Sequence, residues 1–144
     1  MFITKKSIIG IIKLAGIIST ESRLGSRGGL NLNDLSDSIT KAFSFKNMKA
    51  IALLVNSPGG SPVQSALIAN RIRDLAKEKE IPVYCFIEDL AASGGYWLSC
   101  AGDKIYAMES SIIGSIGVIT AGFGAVEAIK KIGIERRVYS QGKN

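Results

Sequence analysis

Ser93 is the residue of this chain whose surroundings best suit covalent chemistry. It lies in Asp89-Leu90-Ala91-Ala92-Ser93-Gly94-Gly95-Tyr96-Trp97, where small neighbours on both sides leave a hydroxyl open to approach. The apolar run from Val83 to Ile87 reads as a strand and the segment from Tyr96 to Ala101 as a short buried helix, so Ser93 is expected at a strand-to-helix turn. Such a turn is the setting of a nucleophile elbow, written here as Ala-x-Ser-x-Gly in place of Gly-x-Ser-x-Gly. A substrate carbonyl can reach Oγ at such a turn, and N–H groups at the helix start point toward the developing oxyanion. A serine at a helix start also serves as an N-cap, and this stretch alone leaves the two roles open.

The identity of any base is narrowed by composition, because the chain contains no histidine. A Ser-His-Asp triad, a Cys-His dyad and a His-ligated metal are excluded within it. If Ser93 is a nucleophile, its proton must go to a lysine or a carboxylate, or to a group from another chain. Cys85 and Cys100 are too few and too far apart for a zinc knuckle or a CxxC pair and read as core thiols. No metal and no cofactor are implied.

A second glycine pair offers donors to the same oxygen. Asn56-Ser57-Pro58-Gly59-Gly60-Ser61-Pro62 ends a strand in a tight turn, and the turns at Gly59-Gly60 and Ser93-Gly94 together supply two N–H groups for an oxyanion hole. The strand, Gly-rich turn and helix echo a phosphate-binding unit, but there is neither a Gly-Lys-Ser/Thr ending nor a G-x-G-x-x-G. An ordinary turn accounts for Pro58-Gly59-Gly60 equally well from pattern alone.

The elements that position these turns are legible in outline. Ser7 to Ile18 is Ile-rich and reads as a buried strand with Gly16 as a bulge, since Lys13 interrupts any signal-peptide or membrane span. Ser22 to Gly29 reads as a connecting loop. Asn31 or Asn33 can cap a helix carrying Leu32, Leu35, Ile39, Ala42 and Phe43 at helical spacing. Lys49 to Val55 reads as a fully buried strand. Ser61 as N-cap, Pro62 in the first turn and Gln64 as capping-box partner start a second helix with a stripe through Ile72 and Leu75, and Lys77-Glu78-Lys79-Glu80 is its solvated end. Asp103 to Met108 reads as a strand. Ser111 to Ile119 alternates small and β-branched residues, which suits a groove wall or plain core packing. Phe123 to Ile132 reads as a helix stopped by Gly133, and Glu135 to Tyr139 as a last strand. Strands alternating with helices point to an α/β fold.

At 144 residues and 47% hydrophobic content, one domain spanning 1–144 is expected. The 18 Lys+Arg against 12 Asp+Glu give +6, but Lys5-Lys6, Lys130-Lys131 and Arg136-Arg137 are scattered without interleaved aromatics, which argues against nucleic acid. Contact with anionic lipid stays open.

In order along the chain, Val55-Asn56-Ser57-Pro58-Gly59-Gly60, Ala91-Ala92-Ser93-Gly94-Gly95-Tyr96 and Gly114-Ser115-Ile116-Gly117-Val118 resemble the signal peptide peptidase A family, also called protease IV. The resemblance spans nearly the whole chain. It implies the Clp-protease and crotonase-like fold of repeated β-β-α units and a serine peptidase with a Ser-Lys dyad. It makes Ser93 the nucleophile and the backbone N–H groups of Gly60 and Gly94 the oxyanion donors. The family's base lysine follows a glycine by three positions, and Gly142 would set it one residue beyond Asn144. Lys143 falls two positions early, a displacement of about 7 Å along a strand. The chain is therefore expected to be an N-terminal portion, incomplete at its C-terminus and lacking its base.

The resemblance implies peptide substrates such as cleaved signal peptides, and a homo-oligomer. Two other readings remain. In a crotonase-like acyl-CoA enzyme the same donors would hold a thioester enolate, which leaves Ser93 unexplained; an inactive assembly fragment would dock with full-length relatives. The expected location is the cytoplasm, with peripheral membrane contact.

Overall fold

The computed structural model describes residues 7–20, 29–120, 131–133, 137 and 139–140. Its frame is a parallel sheet whose path runs β1 (Ile8–Ala15), β2 (Met48–Ser57), β3 (Val83–Ala92) and β4 (Lys104–Ala107). A fifth strand, β5 (Ile112–Gly114), pairs with the last part of β3, Leu90 to Ala92, beyond the stretch that β4 takes. Parallel neighbours need long crossovers, supplied by α1 (Leu32–Ser44) between β1 and β2 and by α2 (Pro62–Lys79) between β2 and β3. A short helix α3 (Gly94–Ser99) follows β3 directly, and two-residue strands β6 (Ile119–Thr120) and β7 (Tyr139–Ser140) pair antiparallel. The α/β class read from the sequence is the one observed.

Alternation along the strands decides which face is covered. Ile12 and Leu14 of β1, Ile51, Leu53 and Val55 of β2, and Val83, Cys85 and Ile87 of β3 are buried on one face. They form one cluster with Ile39 and Phe43 of α1 and Ile68, Ile72 and Leu75 of α2. The opposite face carries Ile9, Ile11, Phe86 and Tyr106, which stay exposed, with the Phe86 and Tyr106 rings stacked at 5.2 Å. The first strand is thus not the buried strand its composition suggests. It is an edge strand paired only with β2 among the described residues, and Ile9 and Ile11 are 64% and 66% exposed.

The helix starts are set by short polar side chains. Asn31 caps α1, its Oδ1 accepting the Asp34 N–H at 2.9 Å, while Ser61 caps α2 by accepting the Gln64 N–H at 3.3 Å, with Pro62 in the first turn. Gln64 does not close a capping box. Its Oε1 accepts the Leu32 N–H at 2.9 Å and so satisfies the start of α1 instead. Three further expectations shift. β3 runs on to Ala92, past the polar Glu88-Asp89, through a register irregularity opposite β2. The third helix begins at Gly94, two residues before the expected Tyr96, and Trp97 on it is 46% exposed, so it is only half buried. Cys100 is exposed, not core, whereas Cys85 is fully buried. The connector expected at 22–29, the helix at 123–132, the strand at 135–139, and the dibasic pairs at 5–6, 130–131 and 136–137 fall wholly or partly outside the described residues.

Candidate active site

Two chain reversals at the C-terminal ends of β2 and β3 meet, and a third strand end locks them. Ser93 stands between β3 and α3 with φ 52° and ψ −121°, a conformation that favours glycine and costs a serine about 1–3 kcal/mol. Its N–H donates to the Gly114 carbonyl at 2.8 Å, and its carbonyl accepts the Trp97 N–H at 3.1 Å. The side chain makes no capping hydrogen bond, so the helix-cap role is not the one it plays. The backbone is held on both sides while the half-buried hydroxyl is left without a partner among the described residues.

The Gly59-Gly60 turn lies against this serine. Gly59 has φ 93°, and a Cβ on it would stand 2.7 Å from the Gly94 nitrogen and 2.9 Å from Ser93 Cβ. Any other residue there would push the two turns apart. Gly60, at φ 143°, runs beside Ile18 as an isolated parallel bridge: the Ile18 N–H donates to the Gly59 carbonyl at 2.8 Å and the Ser61 N–H to the Ile18 carbonyl at 2.9 Å. A Cβ on Gly60 would collide with that Ile18 carbonyl. The pairing turns the Gly60 N–H away from Ile18, and neither it nor the Gly94 N–H has an acceptor among the described residues. Gly94 itself packs on the buried Ser65 of α2, whose hydroxyl donates to the Ser61 carbonyl at 2.8 Å.

Ser93, Gly94 and Gly60 open on one cleft of about 570 Å³, completed by Pro62, Tyr96, Trp97, Cys100, Ile116, Gly117 and Val118. Its walls are mainly apolar, which suits an extended peptide's side chain better than a charged ligand. The segment after β5 contributes Ile116 to Val118, the groove-wall role open to it in the sequence. Burial raises the Cys85 thiol pKa, and partial desolvation raises that of the largely exposed Cys100, which makes both poorer nucleophiles. Among the described residues no three His, Cys, Asp or Glu side chains gather as metal ligands. Lys143 and Gly142 lie outside the described residues.

Sequence reasoning left two contributors unassigned. Ile18 acts through its backbone, which no residue type announces. Ser57 lies within the Val55-to-Gly60 motif, and its hydroxyl ties the glycine turn to the residue after β1, accepting the Gly59 N–H at 3.1 Å and donating to the Gly16 carbonyl at 2.7 Å.

Comparison with known proteins bears on the same segments. The family model for peptidase family S49 matches residues 75–144. A Na(+)/H(+) antiporter NhaA of Brucella melitensis is 52% identical over 136 residues, covering 94% of this chain and 18% of that protein. The chloroplastic serine protease SPPA of Arabidopsis thaliana is 36% identical over 137 residues, covering 94% of this chain and 20% of its own length. The chain thus spans about a fifth of each of these two relatives. Among solved structures, a point mutant of the 1510-N membrane-bound stomatin-specific protease superposes with a TM-score of 0.63 at 21% identity, covering 84% of this chain and 53% of that one. That likeness shows the Clp-protease and crotonase-like α/β fold.

Proposed function

The chain belongs to the signal peptide peptidase A family, within peptidase family S49, and from that footing we propose that it carries the nucleophile and oxyanion hole of a Ser-Lys endopeptidase. Ser93 is the nucleophile, and the N–H groups of Gly60 and Gly94 are the oxyanion donors. The observation that carries the reading is the conformation of Ser93, strained at φ 52° and ψ −121° with its hydroxyl uncommitted above an apolar cleft.

In the proposed reaction Ser93 Oγ attacks a peptide carbonyl as its proton passes to a lysine amine. The tetrahedral oxyanion that forms is held by the two N–H groups. Collapse breaks the C–N bond, the leaving amine takes the proton from the lysine, and water then hydrolyses the acyl-serine by the same route. The amine must be desolvated so that its pKa falls from about 10.4 toward neutrality. A lysine held in this way, in the position the family resemblance implies, would supply it. Lys143 is the other candidate.

The substrate we assign is an extended apolar peptide such as a cleaved signal peptide, whose side chain would enter the cleft walled by Trp97, Ile116 and Val118. Residues 1–144 belong to a single peptidase domain. Assembly with further copies and peripheral contact with a membrane on the cytoplasmic side belong to the same reading. Exposed Ile9, Ile11 and Phe86 and the net charge of +6 support them. No helix among the described residues is long and apolar enough to cross a membrane.

Hydrolysis of an apolar peptide by the full-length gene product, followed by mass spectrometry of the fragments, tests the assignment. Ser93→Ala should abolish turnover. Hydrolysis persisting in that variant would reject Ser93, and retention on immobilised coenzyme A without hydrolysis would favour the acyl-CoA reading.

A further inference from the structure

We infer that Ser57 is a positioning residue of this site: its buried hydroxyl holds the Gly59-Gly60 turn in the shape that leaves the Gly60 N–H free for the oxyanion. This rests on the peptidase reading of Ser93. Ser57 is the last residue of β2 and is fully buried, with 0% of its surface exposed. A buried hydroxyl must be bonded, and this one links the glycine turn to Gly16, just beyond the last β1–β2 ladder pair of Ala15 with Asn56. It donates to the Gly16 carbonyl at 2.7 Å and accepts the Gly59 N–H at 3.1 Å. The Gly16 N–H in turn donates to the Asn56 carbonyl at 2.9 Å, which closes the link between the end of β1 and the end of β2.

The geometry limits what else the turn could do. The Ile18 N–H holds the Gly59-Gly60 peptide through its carbonyl, and Ser57 holds the preceding Pro58-Gly59 peptide through the Gly59 N–H, so the peptides on both sides of Gly59 are fixed. The next N–H, that of Gly60, is therefore kept pointing outward. Ser57 also touches the nucleophile's helix, since a Cβ on Gly95 would collide with the Ser57 carbonyl. One residue thus sits where the end of β1, the glycine turn and the start of α3 meet. An oxyanion donor is effective only when preorganised, so loss of the hydroxyl should lower the rate of acylation and leave ligand binding in the cleft unchanged.

Amide exchange in the 144-residue chain, read residue by residue by NMR, tests the hydroxyl bridge without needing turnover. Ser57→Ala should speed exchange at Gly59 by about tenfold or more, with the Leu53 and Val55 amides as slow as in the native chain, because a freed N–H exchanges by local opening. Ser57→Cys fills the same space with a weak hydrogen-bonding group and should behave alike if the alanine variant fails to fold. Unchanged exchange at Gly59 in the folded variant would overturn the inference. In the full-length gene product, fluorophosphonate modification should saturate at the same reagent concentration in Ser57→Ala. Its maximal rate should fall by about ten- to a hundredfold, less than the 10²- to 10³-fold that loss of a whole donor costs. Ser57→Thr, which keeps the hydroxyl, should recover part of that rate. If Ser93→Ala is silent while Ser57→Ala reacts at the native rate, the inference fails alone. If Ser93→Ala reacts like the native protein, the peptidase reading fails with it.

Discussion

Ser93 combines two properties that rarely occur together without a reason: a backbone conformation fit for glycine and a side chain that stabilises nothing nearby. Strain of this kind persists where the surroundings over-determine it, here the Gly114 carbonyl before the turn and the Trp97 N–H after it. Ser93→Gly should therefore relieve more strain than it adds in unfolded-chain entropy. The expected gain is about 1 kcal/mol, or roughly 3 °C in Tm for a chain of this size. Ser93→Ala keeps a Cβ at the same φ and should leave stability within about 0.5 kcal/mol of the native protein. Thermal unfolding of both variants checks this, and a loss of stability in the glycine variant would show that the side chain is structural after all. The small residues around Ser93 made the turn legible in the sequence. Its positive φ was not, because that depends on the Gly114 carbonyl and on the Trp97 N–H of the helix that follows.

At the scale of elements, what could be read locally held and what depended on a distant partner shifted. The Asn31 and Ser61 caps are local and stand as read. Gln64 has the spacing of a capping-box residue, but the Leu32 N–H is a competing donor 32 positions away in sequence. The first strand has the Ile-rich composition of a buried strand, and only its position at the edge of the sheet leaves Ile9 and Ile11 in the open. The end of β3 was hidden by Glu88-Asp89, polar residues that sit at a register irregularity where Asp89 accepts a hydrogen bond from the Asn56 side chain at 2.8 Å. The start of β3 is tied down by Asp103. Its carboxylate accepts the Val83 N–H at 2.8 Å and pairs with Arg73 at 2.8 Å. The Val83 N–H chiefly, and then Arg73, hold the Asp103 pKa below its ordinary value against the effect of burial. A depressed carboxylate pKa means that the stabilisation is fully present above the unfolded-state pKa of about 3.9. It is lost as pH falls through the lower folded-state value. Asp103→Asn should lower the denaturation midpoint at pH 7 and flatten its decline below about pH 4. Parallel curves for the two proteins from pH 7 to pH 2 would contradict the role given to Asp103.

For the whole molecule, the parallel sheet with helices on one face serves to bring the ends of β2 and β3 together, with Ile18 and Gly114 bracing them from either side. The ordered motifs around Gly59-Gly60, Ser93 and Gly114 made this arrangement legible as a family resemblance. The cleft they enclose took the fold to reveal, since Pro62, Trp97 and Ile116 come from separate elements. The other face of the sheet exposes Ile9, Ile11, Phe86 and Tyr106, a surface that fits the proposed assembly with further copies. In the proposed function this framework presents one serine to a carbonyl. Fluorophosphonate treatment of the full-length gene product, with peptide mapping of the adduct, measures that most directly. A single adduct is expected, on Ser93, forming several orders of magnitude faster than on other serines. An adduct confined to other residues, or equal modification of the Ser93→Ala protein, would contradict it.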